Sequence, residues 1–202
     1  MVIDEKKSGA GRYEICLSGH GGQGIITAAV ILARAVGEFN GKYVCQTQSY
    51  GPEARGGKSK AEVVISDAAI DYPKAMALDL LLAMNQAACD AYFFDLKSNG
   101  LLVVDSSLVD QYPTSRIIPI AFTELARDQI GKEMTANMIA LGAVAHLCGQ
   151  VSPENLKKAM LDSFPAQSGE LNLRALHLGI NEAKKIDLSA LPREIVIEED
   201  EV

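Results

Sequence analysis

The residues with the clearest chemical potential form a glycine-rich loop near the start of the chain, SGHGGQG at residues 18–24. The glycines at positions 19, 21 and 24 have the spacing G-x-G-x-x-G, and the apolar segment 13–18 comes directly before them. In such a loop, backbone N–H groups can approach an anion, which the dipole of the following helix also favours. The candidate binding residues are Gly19, His20, Gly21, Gly22, Gln23 and Gly24.

A dinucleotide site requires a second feature, which is an acidic residue about 20 positions further on that holds the ribose hydroxyls. The predicted second strand ends in Gln46, Thr47 and Gln48, and no acidic residue or arginine is found there. Ordinary NAD(P) binding is therefore disfavoured. A free-standing Rossmann-like nucleotide- or anion-binding module, or an NAD(P) enzyme, stays open as the alternative function.

A second loop, SYGPEARGG at residues 49–57, follows the second predicted strand. Its three glycines and one proline exclude a regular helix or strand and allow a close approach to a ligand. An arginine in such a loop can form a bidentate contact with a phosphate or a carboxylate, or it can pair with the glutamate of its own loop. The candidate residues are Ser49, Tyr50, Gly51, Pro52, Glu53, Arg55, Gly56 and Gly57.

The elements that must position these loops alternate between strands and helices. Strands are predicted over residues 13–18, 42–48, 59–66, 78–85, 100–107 and 116–121. The third strand follows the second after only a loop and is expected to be antiparallel, whereas Pro119 places the last strand near an edge. The pattern predicts a three-layer α/β/α Rossmann-like fold with a mostly parallel, mixed sheet.

Helical periodicity begins after the glycine loop and dominates from about residue 121 onward. Helices are predicted over residues 23–39, 86–97, 122–130, 136–148, 152–164 and 170–185. Asn137 is expected to cap the fourth of these helices. We interpret residues 1–12 as an N-terminal extension, 13–186 as a single α/β domain with a helical C-terminal part, and 187–202 as an acidic tail.

Composition excludes several classes of function. The 202-residue chain has a net charge of −7 and no cluster of Lys or Arg, so we expect no nucleic-acid partner. Its apolar runs are too short to span a membrane, and the first residues lack a signal-peptide pattern, so a cytoplasmic location is expected. The four cysteines, Cys16, Cys45, Cys89 and Cys148, are widely spaced, and no metal centre is predicted.

Taken together, the two loops resemble the gamma subunit of the 2-oxoacid:ferredoxin oxidoreductases, the family that includes pyruvate:ferredoxin oxidoreductase. The matching motifs are SGHGGQG at 18–24, SYGPEARGG at 49–57, LLAMNQ at 81–86, GLLVVDSS at 100–107, NMIALG at 137–142 and NLRALHLG at 172–179. These motifs cover most of the chain in the expected order. The form SYGPEARGG is more similar to the 2-oxoglutarate-type members than to the pyruvate-type members.

The resemblance implies a reaction of anaerobic metabolism in which a 2-oxoacid, CoA and oxidised ferredoxin give acyl-CoA, CO2 and reduced ferredoxin. It also implies that thiamine diphosphate and Mg²⁺ lie between the alpha and beta subunits. Iron–sulfur clusters are expected in the beta subunit or in a ferredoxin-like delta subunit. This chain is then expected to bind no cofactor alone and to have no catalytic residue of its own. Its two loops would contact CoA or the subunit interface.

Overall fold

A computed structural model describes residues 11–50 and 58–195, and the structural statements below concern these ranges. Six strands form one sheet in the order β2-β3-β1-β4-β5-β6. The strands are β1 (Tyr13–His20), β2 (Tyr43–Tyr50), β3 (Lys58–Ser66), β4 (Leu78–Ala83), β5 (Leu96–Asp105) and β6 (Ile117–Ile120).

Strand direction makes the sheet mixed but mostly parallel. β1, β4, β5 and β6 are parallel neighbours, whereas β3 is antiparallel to both β1 and β2. β2 therefore points in the same direction as β1, although β3 separates them. The predicted mixed α/β sheet, its antiparallel third strand and the edge position of the strand that contains Pro119 are confirmed.

Within residues 11–50 and 58–195, six α-helices accompany the sheet. They are α1 (Ile25–Arg34), α2 (Gln86–Tyr92), α3 (Phe122–Leu125), α4 (Ala136–Cys148), α5 (Pro153–Ser163) and α6 (Ala166–Ala183). Single π-helical turns, Ala35–Phe39 and Ala126–Ile130, extend α1 and α3. The division of the chain into an extension, a domain and a tail stays a prediction.

Two predicted helix boundaries are wrong by about four residues or more. The helix expected over residues 86–97 ends at Tyr92, and after a 3₁₀ turn the chain enters β5 at Leu96, which pairs with Leu78 of β4. This strand pairing outweighs the local helical pattern. The last α-helix begins at Ala166 rather than at residue 170, because Gly169 lies inside the helix and does not interrupt it.

The two faces of the sheet are covered unequally. The larger core lies between one face and α1, α4, α5 and α6, whereas the smaller core lies on the opposite face beneath α2. β4 has the sequence LDLLLA and is apolar at almost every position, because helices cover both of its faces. Helix α4 is the most enclosed helix, and of its residues only His146 is exposed.

Close contact between α4 and α6 depends on two glycines. A side chain at Gly142 of α4 would overlap the carbonyl oxygen of Leu176, and a side chain at Gly179 of α6 would overlap the carbonyl oxygen of Ile139. The two backbones therefore touch at two points, one contributed by each helix. These glycines belong to the sequence motifs NMIALG and NLRALHLG, which the structure explains as packing motifs.

At the amino end of β1, the buried carboxylate of Glu14 holds the segment between β3 and β4. Glu14 accepts hydrogen bonds from the N–H groups of Met76 (2.6 Å) and Ala77 (2.8 Å) and pairs with Arg12 at 2.5 Å. Burial, the largest single effect, acts to raise the pKa of the Glu14 carboxyl. The hydrogen bonds from Ala77, Arg12 and Met76 together outweigh burial and lower this pKa below its ordinary value.

We predict that Gly179→Ala destabilises the protein by at least about 2 kcal/mol, because the added methyl group meets rigid backbone. The matched control is Gly169→Ala in the same helix, whose new methyl group would lie 3.3 Å from the flexible Cδ2 of Leu161. This control should be neutral or stabilising by up to about 1 kcal/mol, since alanine favours the helix. Urea unfolding measures both effects, and equal free energies for the two variants would contradict the close-packing argument.

We also predict that the stability supplied by Glu14 depends on pH. A carboxyl whose pKa is lower in the folded state stabilises the fold above its unfolded pKa of about 4.3, and this contribution is lost as the pH falls through the folded pKa. Glu14→Gln should reduce the free energy of unfolding by about 1–3 kcal/mol at pH 7. The difference from the unmodified protein should shrink below about pH 4. A difference that stays constant from pH 7 to pH 3 would show that ionisation is not involved.

Candidate functional site

The glycine loop opens into a cavity of about 280 Å³ at the carboxyl ends of the parallel strands. His20, Gly22 and Gln23 form one wall. The opposite wall comes from the start of α4 and the segment before it, with Glu133, Met134 and Ala136. The remaining lining is Met84 after β4, Leu108 after β5 and Thr123 of α3. In open α/β sheets, ligands bind at this edge.

The side chain of Gln23 is committed to the architecture of the loop. Its Oε1 accepts the N–H of His20 at 2.8 Å, and its Nε2 donates to the carbonyl oxygen of Met84 at 3.1 Å. The N–H of Gln23 also donates to the carbonyl oxygen of His20, which closes a tight turn. Gln23 therefore joins the glycine loop to the end of β4, while its backbone stays on the cavity wall.

The glycines have different roles within the loop. Gly22 and Gly24 have φ values of +97° and +71°, a region that L-residues with side chains rarely adopt. At Gly19 a side chain would overlap Gln23, and at Gly24 it would overlap the amide of Asn137. At Gly21 and Gly22, by contrast, a side chain would meet no described atom within 4 Å, so this part of the loop faces open space.

Asn137 does not cap its helix as the sequence predicts. Helix α4 begins at Ala136, one residue before Asn137, and Thr135 occupies the N-cap position. Asn137 therefore lies in the first turn of the helix. Its Nδ2 instead donates to the carbonyl oxygen of Gly24 at 3.2 Å. This interaction joins two segments that lie 113 positions apart in the chain, so helical periodicity could not reveal it.

The N-terminus of α1 is uncapped and electropositive. Gly24 offers no side-chain cap, the first turn has no acidic residue, and the first helical hydrogen bond runs from Ala28 to Gly24. Within the described part of the chain, the N–H groups of Ile25, Ile26 and Thr27 have no acceptor. An anion at this point would accept hydrogen bonds from these N–H groups, and the helix dipole would stabilise its negative charge.

The second predicted loop is only partly described. Ser49 is exposed and Tyr50 ends β2, and both pair with β3 opposite Lys60 and Ser59. Since Ser59 also pairs with Gly19 of β1, the two loops leave the same edge of the sheet. The spacing of strands places the ends of β1 and β2 about 10 Å apart. Gly51, Pro52, Glu53, Arg55, Gly56 and Gly57 lie outside the described residues, and their roles stay predictions.

Asp105, the last residue of β5, organises the far side of the cavity. This completely buried carboxylate accepts the hydroxyl of Thr123 at 2.5 Å and the N–H of the same residue at 3.1 Å. It also accepts the N–H of Ser107 at 3.1 Å, as expected for an acidic residue that caps the turn after its strand. Asp105 thus fixes the start of α3, where Thr123 lines the cavity.

The cysteine side chains lie mostly in the two cores. Cys16, Cys89 and Cys148 are buried, and Cys45 is half-buried. Burial raises the pKa of the Cys16 thiol to about 12 and the pKa values of the Cys89 and Cys148 thiols to about 11. Among residues 11–50 and 58–195, no three His, Cys, Asp or Glu side chains are grouped to hold a metal ion.

Comparison with known proteins identifies the family. Residues 14–182 match the family described as pyruvate ferredoxin/flavodoxin oxidoreductase. The chain belongs to this family. A member from Methanocaldococcus jannaschii, the 2-oxoglutarate synthase subunit KorC, is 48% identical over 179 residues, which cover 87% of this chain and 96% of that protein.

Solved structures of the oxidoreductase family agree in fold. The gamma subunit of a keto/oxoacid ferredoxin oxidoreductase from Geobacter sulfurreducens has a TM-score of 0.78 and 45% identity, and the match covers 86% of this chain and 99% of that subunit. The 2-oxoglutarate:ferredoxin oxidoreductase of Magnetococcus marinus, solved with 2-oxoglutarate, CoA and succinyl-CoA bound, has a TM-score of 0.79 at 24% identity. That match covers 94% of this chain and 34% of the longer chain, and it shows the fold alone.

These findings confirm the prediction of a gamma subunit of the 2-oxoacid:ferredoxin oxidoreductases. The chain is thus one subunit of a multisubunit oxidoreductase, and the free-standing module is not favoured. In the part of the chain that the structure describes, no helix is both long and apolar enough to cross a bilayer. The cytoplasmic location stays a prediction.

For this oxidoreductase subunit, we predict that Gln23→Met destabilises the fold by about 1–3 kcal/mol, because the N–H of His20 and the carbonyl group of Met84 lose their partner. The control is Gln129→Met, since Gln129 is exposed and its side chain makes no hydrogen bond to any other described residue. Thermal unfolding measures both effects. Equal unfolding temperatures for the two variants would refute the anchoring role of Gln23.

Proposed function

We propose that this chain is the gamma subunit of a 2-oxoglutarate:ferredoxin oxidoreductase and that its glycine loop binds phosphate groups of CoA. In the reaction, 2-oxoglutarate, CoA and oxidised ferredoxin give succinyl-CoA, CO2 and reduced ferredoxin. The choice of 2-oxoglutarate rests on the 48% identity to the 2-oxoglutarate synthase subunit KorC across almost its whole length.

The single observation that supports the CoA assignment is the uncapped start of α1. N–H groups of Ile25, Ile26 and Thr27 lack acceptors within the described residues, and the open backbone of Gly21 and Gly22 lies beside them. Of the substrates of this reaction, CoA carries several negatively charged phosphate groups. The N-terminus of a helix is well suited to bind a phosphate group. The sequence adds Arg55 on the neighbouring loop as a proposed bidentate partner.

The expected division of labour leaves the redox chemistry to other chains. The partners that we propose are alpha and beta subunits with thiamine diphosphate and Mg²⁺, iron–sulfur clusters in the beta subunit or a delta subunit, and ferredoxin as electron acceptor. When bound, these groups supply decarboxylation and electron transfer. The described residues here offer no grouped ligands for a metal ion, so we assign no step through such a group to this chain.

Apolar side chains around the cavity support contact with another subunit at the same edge. Met134 is 76% exposed and Leu108 is 41% exposed, and both line the cavity that the glycine loop enters. Exposed apolar side chains around a binding cleft are typical of protein contact sites. A partner that covers this rim would enclose CoA between the two chains and exclude water from its phosphate contacts.

We predict that Gly22→Ala raises the apparent KM for CoA by about tenfold in the assembled enzyme, an effect that corresponds to about 1.4 kcal/mol. Alanine disfavours the positive φ of Gly22, so the loop must shift and its N–H groups turn away from the phosphate. The KM for 2-oxoglutarate should change less than twofold. Steady-state kinetics with an acceptor dye measure both constants.

The matched control is Gly149→Ala, which imposes the same kind of strain at the far end of α4, where φ is +62° and a side chain would meet no described atom. It should reduce stability similarly and leave both KM values unaltered. If the two variants have the same KM for CoA, the CoA assignment is wrong. If Gly22→Ala instead weakens assembly and lowers the apparent affinity for both substrates together, the loop is an interface element.

The chain alone should show no turnover of 2-oxoglutarate.

A further inference from the structure

Two separate segments form the walls of the cavity, and one side chain connects them. The first wall is the glycine loop, and the second is the segment Glu133–Ala136 before α4. Asn137 follows this second wall directly, and its amide donates to the carbonyl oxygen of Gly24 in the first wall at 3.2 Å. The contact thus joins the segments of the two walls directly.

The bridge is tightly packed as well as hydrogen-bonded. Asn137 is 9% exposed, and its Nδ2 lies where a side chain of residue 24 would have to go. Gly24 accepts this approach because it lacks a side chain, and its positive φ turns its carbonyl group toward α4. The same carbonyl group accepts the N–H of Ala28, so one oxygen ties α4 to the first turn of α1.

The second wall is itself rigid near Asn137. Thr135 is buried, and both its hydroxyl and its N–H donate to the carbonyl oxygen of Lys132, at 2.7 Å and 3.0 Å. Movement of α4 relative to α1 would therefore move the whole wall, including the exposed Met134. The bond from Asn137 joins this rigid wall to the glycine loop, and it therefore contributes to the spacing of the two walls.

We infer that Asn137 is a positioning residue that fixes the glycine loop against α4 and thereby sets the spacing of the CoA-binding cavity. The part of this inference that concerns CoA rests on the function proposed above. Asn137 itself is not one of the residues that line the cavity. It acts through Gly24, because a fixed carbonyl group at residue 24 directs the following N–H groups of α1 toward the cavity.

Asparagine suits this position for a chemical reason. The carbonyl oxygen of Gly24 requires a donor, and a side-chain amide supplies one without adding charge to a buried site. A carboxylate of the same shape would place negative charge against this oxygen, whereas leucine, which branches at the same carbon, would fill the space without donating. The two requirements, packing and donation, can therefore be separated by substitution.

The test compares Asn137→Ala and Asn137→Leu with a matched control, Asn155→Ala. Asn155 makes the same type of bond, from its Nδ2 to the carbonyl oxygen of Phe39 at 3.0 Å, at the other end of the α1 segment. The primary readout is hydrogen exchange of peptides that cover residues 19–28 in the assembled enzyme. We expect faster exchange in both Asn137 variants and unchanged exchange in the control.

Kinetics provide the second readout. Losing the bridge should raise the KM for CoA by about two- to tenfold, as expected for one hydrogen bond, and change kcat and the KM for 2-oxoglutarate less than twofold. Unchanged exchange in residues 19–28 for Asn137→Ala overturns the positioning role. Exchange that Asn137→Leu restores to the unmodified rate also overturns it, since packing alone would then suffice.

One further result distinguishes this inference from the proposed function. If exchange over residues 19–28 increases but the KM for CoA stays at the unmodified value, Asn137 does position the loop and the CoA assignment of the loop fails. If exchange and the KM for CoA rise together in both Asn137 variants, and neither rises in Asn155→Ala, both the positioning role and the CoA assignment are supported.

Discussion

The structure depends on the close approach of α4 to α6, where Gly142 and Gly179 allow two helix backbones to touch. This contact presses α4 into the larger core, between α6 and the rest of the helical layer. No residue larger than glycine fits at these two positions, because the opposing atoms belong to backbone carbonyl groups that cannot rotate away. The depth of α4 in the fold is therefore fixed by the main chain rather than by adjustable side chains.

The position of α4 in turn determines the geometry of the candidate site. The first turn of α4 carries Asn137, which meets the glycine loop, and the preceding segment forms the opposite wall of the cavity. Gln23 fixes the same loop to the end of β4 from the other side. Two neutral amide side chains thus hold a loop that is rich in glycine, so that its backbone can remain open toward a ligand without becoming loose.

The sequence predicted the local features of this arrangement well. Strand–loop–helix punctuation located the glycine loop, and the short connection between the second and third strands predicted the antiparallel pairing of β3. Long-range relations were not accessible in this way. The use of Gln23 as an anchor depends on the carbonyl group of Met84, 61 positions away, and the bridge from Asn137 depends on Gly24, 113 positions away.

The placement of β2 shows a different limit of local pattern. Its predicted end, without an acidic residue, argued against a dinucleotide site, and the structure adds a geometric reason. β3 lies between β1 and β2, so the tip of β2 is one strand further from the glycine loop than it would be if the two strands were neighbours. Periodicity identifies strands but does not order them, and only pairing across the sheet could supply this fact.

The buried cysteines have a consequence for the chemistry of a redox enzyme. The species that reacts with oxidants is the thiolate. Burial raises the pKa of the Cys89 thiol to about 11 and that of the Cys16 thiol to about 12, so both thiols stay protonated at neutral pH. Burial also keeps peroxide and oxygen-derived radicals from reaching these sulfur atoms. These parts of the subunit are therefore inert to oxidants.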